Sequence, residues 1–293
     1  SPNNPGILYQ KGHLLMKIGR SQDALGVLDL VLKSNRNHID ALFDKGLILE
    51  SLENYEEATS CFSQILDKKF HINSLYHKGK SLFHLGKLES AVYHLDQVLE
   101  AIPSHKESLL YKTKSLFGLG LLKDAQDNCQ KLLKLDENNI EVLYIDAEIS
   151  IKTAKYENAL MNIEKILSQN PQYKETLYYF GLCLAKTGKK EQAISIFDNF
   201  LAIYPTHFDA LLHKGITLQQ LSKFEEAISC FERVTPQRLD VLRHKAESLM
   251  CLGKYEDALG CLEKTESTDN DVLLQKATIH SILGNYEKSS ACI

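Results

Sequence analysis

Two small residues recur along almost the whole chain, and this repeat constrains the fold more than any other feature. The first small position returns at intervals of 34, 33, 34, 34, 34, 34, 31 and 31 residues, and a second small residue follows it by twelve residues. A period of this length indicates stacked supersecondary units. The paired positions are Gly12 and Ala24, Gly46 and Ala58, Gly79 and Ala91, Thr113 and Ala125, Ala147 and Ala159, Gly181 and Ala193, Gly215 and Ala227, Ala246 and Ala258, and Ala277 and Ser289.

Each unit predicts a pair of helices. In residues 39–69, Leu42 and Leu49 mark one amphipathic helix, and Phe62 and Ile65 mark a second helix after a turn. The small positions fall where the helices must cross closely. Glycine follows the first helix in most units, and proline follows several second helices. We therefore predict an all-α chain with units starting near 5, 39, 72, 106, 140, 174, 208, 239 and 270, the last incomplete, in one domain over residues 1–293.

The pattern resembles the tetratricopeptide repeat (TPR) family over essentially the whole chain. The resemblance is carried by the runs at 54–58 (Asn-Tyr-Glu-Glu-Ala) and 253–258 (Gly-Lys-Tyr-Glu-Asp-Ala), and by the large residues four positions after the second small position. It implies a right-handed α-solenoid of antiparallel helix-turn-helix repeats. It also implies that the first helix of each unit lines a concave groove that binds other proteins.

The resemblance also points to candidate contact residues in this groove. They stand three before, one after and four after the first small position, where rigid aromatic side chains are frequent. The alternative is that the rings pack against the adjacent hairpin, as we expect for about half of them. The candidates are Tyr9, Phe43, Leu47, Tyr76, Lys80, Phe83, Leu110, Lys114, Phe117, Tyr144, Glu148, Tyr178, Leu182, Leu212 and Ile216.

A row of lysines departs from the family pattern, which has an apolar residue directly before the first small position. We expect each lysine to pack its methylene stem while its ammonium reaches water or a carboxylate of the next unit. The alternative is a row that binds anions. The lysines are Lys11, Lys45, Lys78, Lys112, Lys214, Lys245 and Lys276.

Composition argues against several classes of partner. The chain has 34 lysines and arginines against 38 acidic residues, a formal charge of −4, whereas a nucleic-acid binder is expected to be basic. No apolar stretch approaches the length that crosses a bilayer. Seven cysteines without a C-x-x-C pair favour a reducing compartment. We therefore expect a cytoplasmic protein with a protein or peptide partner, and neither nucleic acid nor membrane as partner.

Signatures of catalysis and metal binding are missing from the sequence. There is no glycine-rich phosphate loop, G-x-S-x-G elbow or H-E-x-x-H motif. His213 and His244 hold the same position in adjacent units, and helices about 8–10 Å apart would not bring both to one zinc ion. We therefore expect no enzymatic activity, no metal and no cofactor.

Three functions stay open at this stage. The first is a scaffold that binds an extended peptide or a partner helix in the groove. The second is a structural subunit joined to an assembly through its ends or convex face, and the third is the substrate-presenting arm of an enzyme whose catalytic domain lies elsewhere. Pro2 and Ile293 fall inside partial units, so we expect an excerpt of a longer solenoid or uncapped ends that self-associate. A two-carboxylate chaperone clamp is disfavoured, because the asparagine expected after the first small position is replaced, for example by Leu47 and Lys80.

Overall fold

The architecture is all-helical in this computed structural model, which describes residues 4–173, 176–263 and 269–292. These residues form eighteen α-helices and no β-strand. The chain falls into two compact units, Ser1–Ile149 (unit 1) and Ser150–Ile293 (unit 2). The all-α repeat architecture is confirmed, and one continuous domain over residues 1–293 stays a prediction. Within the described ranges, no helix has both the length and the apolar character needed to cross a membrane.

Unit 1 contains four helical hairpins and most of a ninth helix. Its first helices begin at residues 5, 39, 72, 106 and 140, which are the predicted unit starts. The helices are α1 Pro5–Lys17, α2 Ser21–Ser34, α3 Ile39–Ser51, α4 Tyr55–Leu66, α5 Ile72–His84, α6 Leu88–Ala101, α7 Lys106–Gly118, α8 Leu122–Leu135 and α9 Ile140–Lys152.

Unit 2 continues the same alternation. Its first helices begin at 208, 239 and 270 as predicted, whereas the predicted start at 174 lies outside the described residues. The shorter spacing of 31 residues coincides with short second helices, because α14 has 10 residues and α16 has 9, against 14 in α12. The helices are α10 Tyr156–Gln169, α11 Thr176–Lys186, α12 Lys190–Ile203, α13 Phe208–Gln219, α14 Phe224–Arg233, α15 Leu239–Cys251, α16 Tyr255–Glu263, α17 Asn270–Ile282 and α18 Tyr286–Ala291.

Each hairpin closes where a residue of the second helix fills the space left by the first small position. A Cβ atom added at Gly46 would lie 2.6 Å from the ring of Phe62, and one added at Gly215 would lie 2.4 Å from the ring of Phe231. Both phenylalanines are fully buried. The next hairpin covers the other side of the Phe62 ring, since His77 stacks on it with centroids 5.6 Å apart. The repeat of small residues is therefore a packing requirement.

The turn inside each hairpin needs one residue with positive φ. Six turns place glycine there with φ between 72° and 85°, in line with the predicted glycine ends. Three turns use other residues, Glu53, Ala154 and Ser222, with φ of 59°, 56° and 58°. A side chain makes this conformation less favourable. The three turns without glycine nevertheless keep the same geometry.

Four lysines that precede the first small position form ion pairs across the joint between hairpins. Each carboxylate lies on the second helix of the preceding hairpin, so the expectation of a partner in the following unit was wrong. The reason is geometric, because this side of the first helix faces the hairpin before it. The pairs are Lys45–Asp29 at 2.6 Å, Lys112–Asp96 at 2.5 Å, Lys214–Asp198 at 2.5 Å and Lys245–Glu232 at 2.8 Å.

Candidate functional site

The first helices of unit 1 leave one row of side chains partly open to solvent. Five of these side chains stand one or four residues after the first small position of their hairpin, and all five are half-buried. Tyr111, two residues before its small position, is half-buried beside them. We call this set the inner surface of unit 1, and its residues are Leu47, Lys80, Phe83, Tyr111, Lys114 and Phe117.

Two lysines of the inner surface flank one tyrosine ring. The ammonium of Lys80 lies 6.0 Å from the centroid of Tyr111, and that of Lys114 lies 5.1 Å from the same centroid. Each ammonium also pairs with a carboxylate, Lys80 with Glu50 at 3.4 Å and Lys114 with Glu141 at 2.8 Å. The two cations are therefore balanced by two anions, and the inner surface is amphipathic and close to neutral.

Glu50 anchors this arrangement from a buried position. It is 8% exposed, its Oε2 lies 2.8 Å from His77 Nδ1, and its Oε1 accepts a hydrogen bond of 3.2 Å from Ser81 Oγ. Burial alone would raise the pKa of Glu50, but the hydrogen bond to His77 and the charges of His77 and Lys80 lower it. Glu50 therefore stays ionised near neutral pH and fixes the position of Lys80.

A second buried carboxylate lies at the joint between α1 and α3. Asp44 is 5% exposed, and its Oδ2 lies 2.8 Å from His13 Nδ1. Burial raises the pKa of Tyr9 to about 12, with the charge of Asp44 as the next cause. The hydroxyl of Tyr9 is thus protonated beside Asp44, which holds this ring within the joint.

The aromatic residues three before the small position pack against the next hairpin. Four of them lie against a histidine that is the N-cap of the following first helix, where the histidine Nδ1 accepts a backbone N–H at 3.1–3.2 Å. Such a cap satisfies an otherwise unpaired helix donor. The ring pairs and centroid distances are Tyr9–His38 at 5.0 Å, Phe43–His71 at 5.3 Å, Tyr76–His105 at 5.2 Å and Tyr178–His207 at 5.2 Å.

The other candidate residues differ in exposure. Leu110, Glu148 and Ile216 are half-buried. Four candidates have little free surface: Tyr144 is 9% exposed, Tyr178 7%, Leu182 9% and Leu212 7%. Among the candidates of unit 1, only Tyr144 is buried, and the others are half-buried.

Sequence reasoning missed three groups that shape this region: the buried carboxylates Asp44 and Glu50, the ring of Tyr111, and the capping histidines. Only the histidines left a readable signal, because each stands directly before a first helix, as His38 does before Ile39. Histidine is not among the preferred N-cap residues, so the pattern did not stand out.

Several histidines whose rings are partly shielded from solvent make the stability of the fold depend on pH. Burial is the largest cause that lowers the pKa of His71, His84, His94, His213 and His244. The pKa of His94 falls to about 4, with the charge of Lys78 as the second cause. An unfolded histidine takes up a proton near pH 6.5, whereas these folded histidines resist it. Their contribution to stability is therefore complete above about pH 6.5 and is lost as the pH falls below that value.

We predict that the free energy of unfolding is lower at pH 5.5 than at pH 7.5. His94 alone is expected to account for about 1 kcal/mol, after allowance for solvent screening at its exposed edge. Chemical denaturation at the two pH values measures the difference, and His94→Gln is expected to reduce it. Equal stability at both values would contradict the assignment of these histidines as neutral in the folded state.

The described residues hold no group of three or more His, Cys, Asp and Glu side chains placed to bind a metal ion. Five cysteines are buried in these ranges, and burial raises the pKa of Cys61 to about 11. A thiol with a raised pKa is a poor nucleophile near neutral pH.

Comparison with known proteins places the repeat among known families. A family model described as anaphase-promoting complex, cyclosome, subunit 3 matches residues 19–98, 88–166 and 152–234. No curated protein matches the chain.

Solved structures share the fold at low sequence identity. The TPR protein YrrB, whose structure is described as having an unusual peptide-binding site, is 19% identical, with 61% of this chain and 92% of that chain covered and a TM-score of 0.56. A TPR protein from Parabacteroides merdae is 15% identical, covering 82% and 98%, with a TM-score of 0.58. MamA from Desulfovibrio magneticus is 20% identical, covering 58% and 98%, with a TM-score of 0.55. At these identities the likeness concerns the fold alone.

Proposed function

The chain belongs to the family of tetratricopeptide-type repeats described as anaphase-promoting complex, cyclosome, subunit 3, and on that premise we propose that it works by binding other proteins rather than by catalysis. The partner contributes an extended segment or a helix that lies across the first helices of the repeats. The observation that carries the proposal is the inner surface of unit 1, where apolar, aromatic and charged side chains on successive first helices are half-buried.

The chemistry of the inner surface limits which kind of partner segment can bind there. Phe83 and Tyr111 offer ring edges, with centroids 5.5 Å apart, and Lys80 and Lys114 are already neutralised by Glu50 and Glu141. A strongly acidic or basic segment would have to break these ion pairs. A segment of mixed polarity with apolar anchors fits better, because aromatic contacts supply binding energy without desolvating a free charge.

Blocking the inner surface without disturbing the core tests the proposal. Ser51 is exposed on α3, four residues after Leu47 and therefore on the same helix face. Ser51→Trp is expected to weaken capture of the native partner by tenfold or more while leaving the circular dichroism melt unchanged. Ser60→Trp, at an exposed position on the second helix α4, is the matched control and is expected to bind normally. Equal capture by both variants would count against the inner surface.

A second candidate function is a structural subunit of a larger assembly, and a surface of α1 favours it. Ile7 and Leu14 are 57% and 61% exposed, whereas the residues at the same two positions of the other eight repeats are at most 2% exposed. With Ile18 they line a shallow apolar depression of about 560 Å³. The occupant proposed here is another helical hairpin. Sedimentation that stays monomeric at all concentrations, and is unchanged by Leu14→Glu, would exclude self-association through this surface.

A further inference from the structure

At one joint of unit 1, the lysine before the first small position has no carboxylate opposite it. At four joints the lysine before the first small position pairs with a carboxylate five residues after the second small position of the preceding hairpin, at 2.5–2.8 Å. At the joint between α4 and α5 the lysine is Lys78, and the carboxylate position is occupied by Ser63. Among the described residues, no carboxylate forms an ion pair with Lys78.

Nothing near Lys78 takes over the role of the absent carboxylate. The hydroxyl of Ser63 donates within its own helix, to the carbonyl of Thr59 at 2.7 Å. Asp67 raises the pKa of Lys78 from beyond ion-pair distance, but burial is the larger cause and the pKa is lowered overall. A half-buried ammonium without a close anion is unfavourable. The ammonium of Lys78 therefore has no adjacent negative charge to balance it.

A second position at this joint also differs from its equivalents. Three residues after the second small position of the lysine's own hairpin, the sequence has cysteine for Lys45, Lys214 and Lys245, and asparagine for Lys112. At the Lys78 joint it is His94, whose Nδ1 is buried without a hydrogen-bond partner. A neutral imidazole has one N–H donor and one acceptor. The joint thus has an uncompensated cation, and its charge acts on a neighbouring ring whose Nδ1 has no hydrogen-bond partner in the protein.

Exposed aromatic rings occur at the same joint. The equivalent joint at Lys45 has an open cleft of about 410 Å³, lined by Asp29, Lys45, Cys61 and Arg36 among others. The residue equivalent to Arg36 is Phe70, which is 65% exposed, and Tyr93, next to His94, is 62% exposed. The equivalent of Tyr93 lines the cleft at the Lys245 joint, where it is Gly260. By equivalence with these two joints, both rings stand at the rim of the place that corresponds to the cleft at the Lys78 joint, which we call the outer cleft.

We propose that the outer cleft between α4 and α6 binds a carboxylate side chain of a partner protein, which pairs with Lys78 and lies between Phe70 and Tyr93. A carboxylate is the assigned ligand because aspartate or glutamate pairs with the equivalent lysine at four other joints. The site lies on the second-helix side of the repeats and is separate from the inner surface, so it gives the chain a second point of contact.

Acetate is the probe that tests the site, in a titration against chloride at constant ionic strength and neutral pH. Side-chain NMR signals of Lys78 and His94 are expected to shift and saturate, while those of Lys45, which is already paired with Asp29, do not. Ser63→Asp should abolish the shift by supplying the carboxylate internally, and Ser63→Asn is the matched neutral control that should retain it. No saturation at Lys78, an equal shift at Lys45, or an undiminished shift in Ser63→Asp would each overturn the proposal.

Two further probes test the chemistry of the ligand. Phenylacetate is expected to saturate Lys78 at a concentration several-fold lower than acetate does, and Phe70→Ala should remove this advantage. If acetate and phenylacetate saturate Lys78 at the same concentration, Phe70 and Tyr93 do not contact the ligand, which would contradict their place in the site. Saturation by inorganic phosphate at concentrations where acetate has no effect would overturn the assignment of a carboxylate.

Discussion

Replacing Phe62 by alanine is expected to lower the free energy of unfolding by about 3–5 kcal/mol, the usual range for a fully buried phenylalanine. Phe62 has no solvent exposure, faces Gly46 within its own hairpin and stacks on His77 of the next hairpin. The alanine variant therefore leaves a cavity that two hairpins share. Chemical denaturation measures the loss, and amide hydrogen exchange locates it in α3, α4 and α5.

The control for Phe62 is an aromatic residue of unit 1 that faces solvent. Tyr93 is 62% exposed, so Tyr93→Ala is expected to change the free energy of unfolding by at most about 0.5 kcal/mol. A Phe62→Ala variant that is as stable as Tyr93→Ala would show that the second helix does not close the hairpin through this ring.

Adding one methyl group at Gly215 is expected to destabilise the chain by about 1–3 kcal/mol, the range for overpacking a close-packed core. The new Cβ would lie 2.4 Å from the ring of Phe231, which is fully buried. Helix propensity alone would favour alanine over glycine by up to about 1 kcal/mol. The steric term therefore has to outweigh a favourable one, and thermal or chemical denaturation gives the net sign.

A second glycine of unit 2 provides a control of opposite sign. Gly260 lies inside α16, and a Cβ added there would meet nothing within 4 Å. Gly260→Ala is expected to stabilise the chain by up to about 1 kcal/mol, because only the propensity term operates. If both alanine variants are more stable than the parent chain, the helices do not approach each other at Gly215 as closely as described.

Sequence alone predicted the helical units closely because the determinants of a hairpin act over short distances. A small residue at the crossing and a positive φ at the turn are requirements of the backbone, and they repeat with the unit. First helices accordingly begin at Ile39 and Phe208, two of the predicted starts. The same backbone requirement at the turn explains why Glu53 adopts a φ of 59° although it is not glycine.

The contacts between hairpins were harder to predict, since periodicity assigns a residue to a helix face without saying which neighbour covers it. Lys45 pairs with Asp29 of the preceding hairpin and not with the following one. Tyr178 and Leu182 were assigned to the groove, yet they are only 7% and 9% exposed. The place of Tyr111 between Lys80 and Lys114 depends on three residues from two successive hairpins. The spacing of residues along the sequence does not reveal it.

The most direct test of the central hypothesis maps where a partner touches the chain. A photo-crosslinking amino acid is placed singly at Ser51 and Lys114 on first helices, and at Ser60 and Gln130 on second helices, in full-length chain exposed to native extract. The hypothesis predicts that the same partner crosslinks from Ser51 and Lys114, and that excess unlabelled chain competes it away. Crosslinks that arise only from Ser60 and Gln130, or equally from all four positions, would contradict binding at the inner surface.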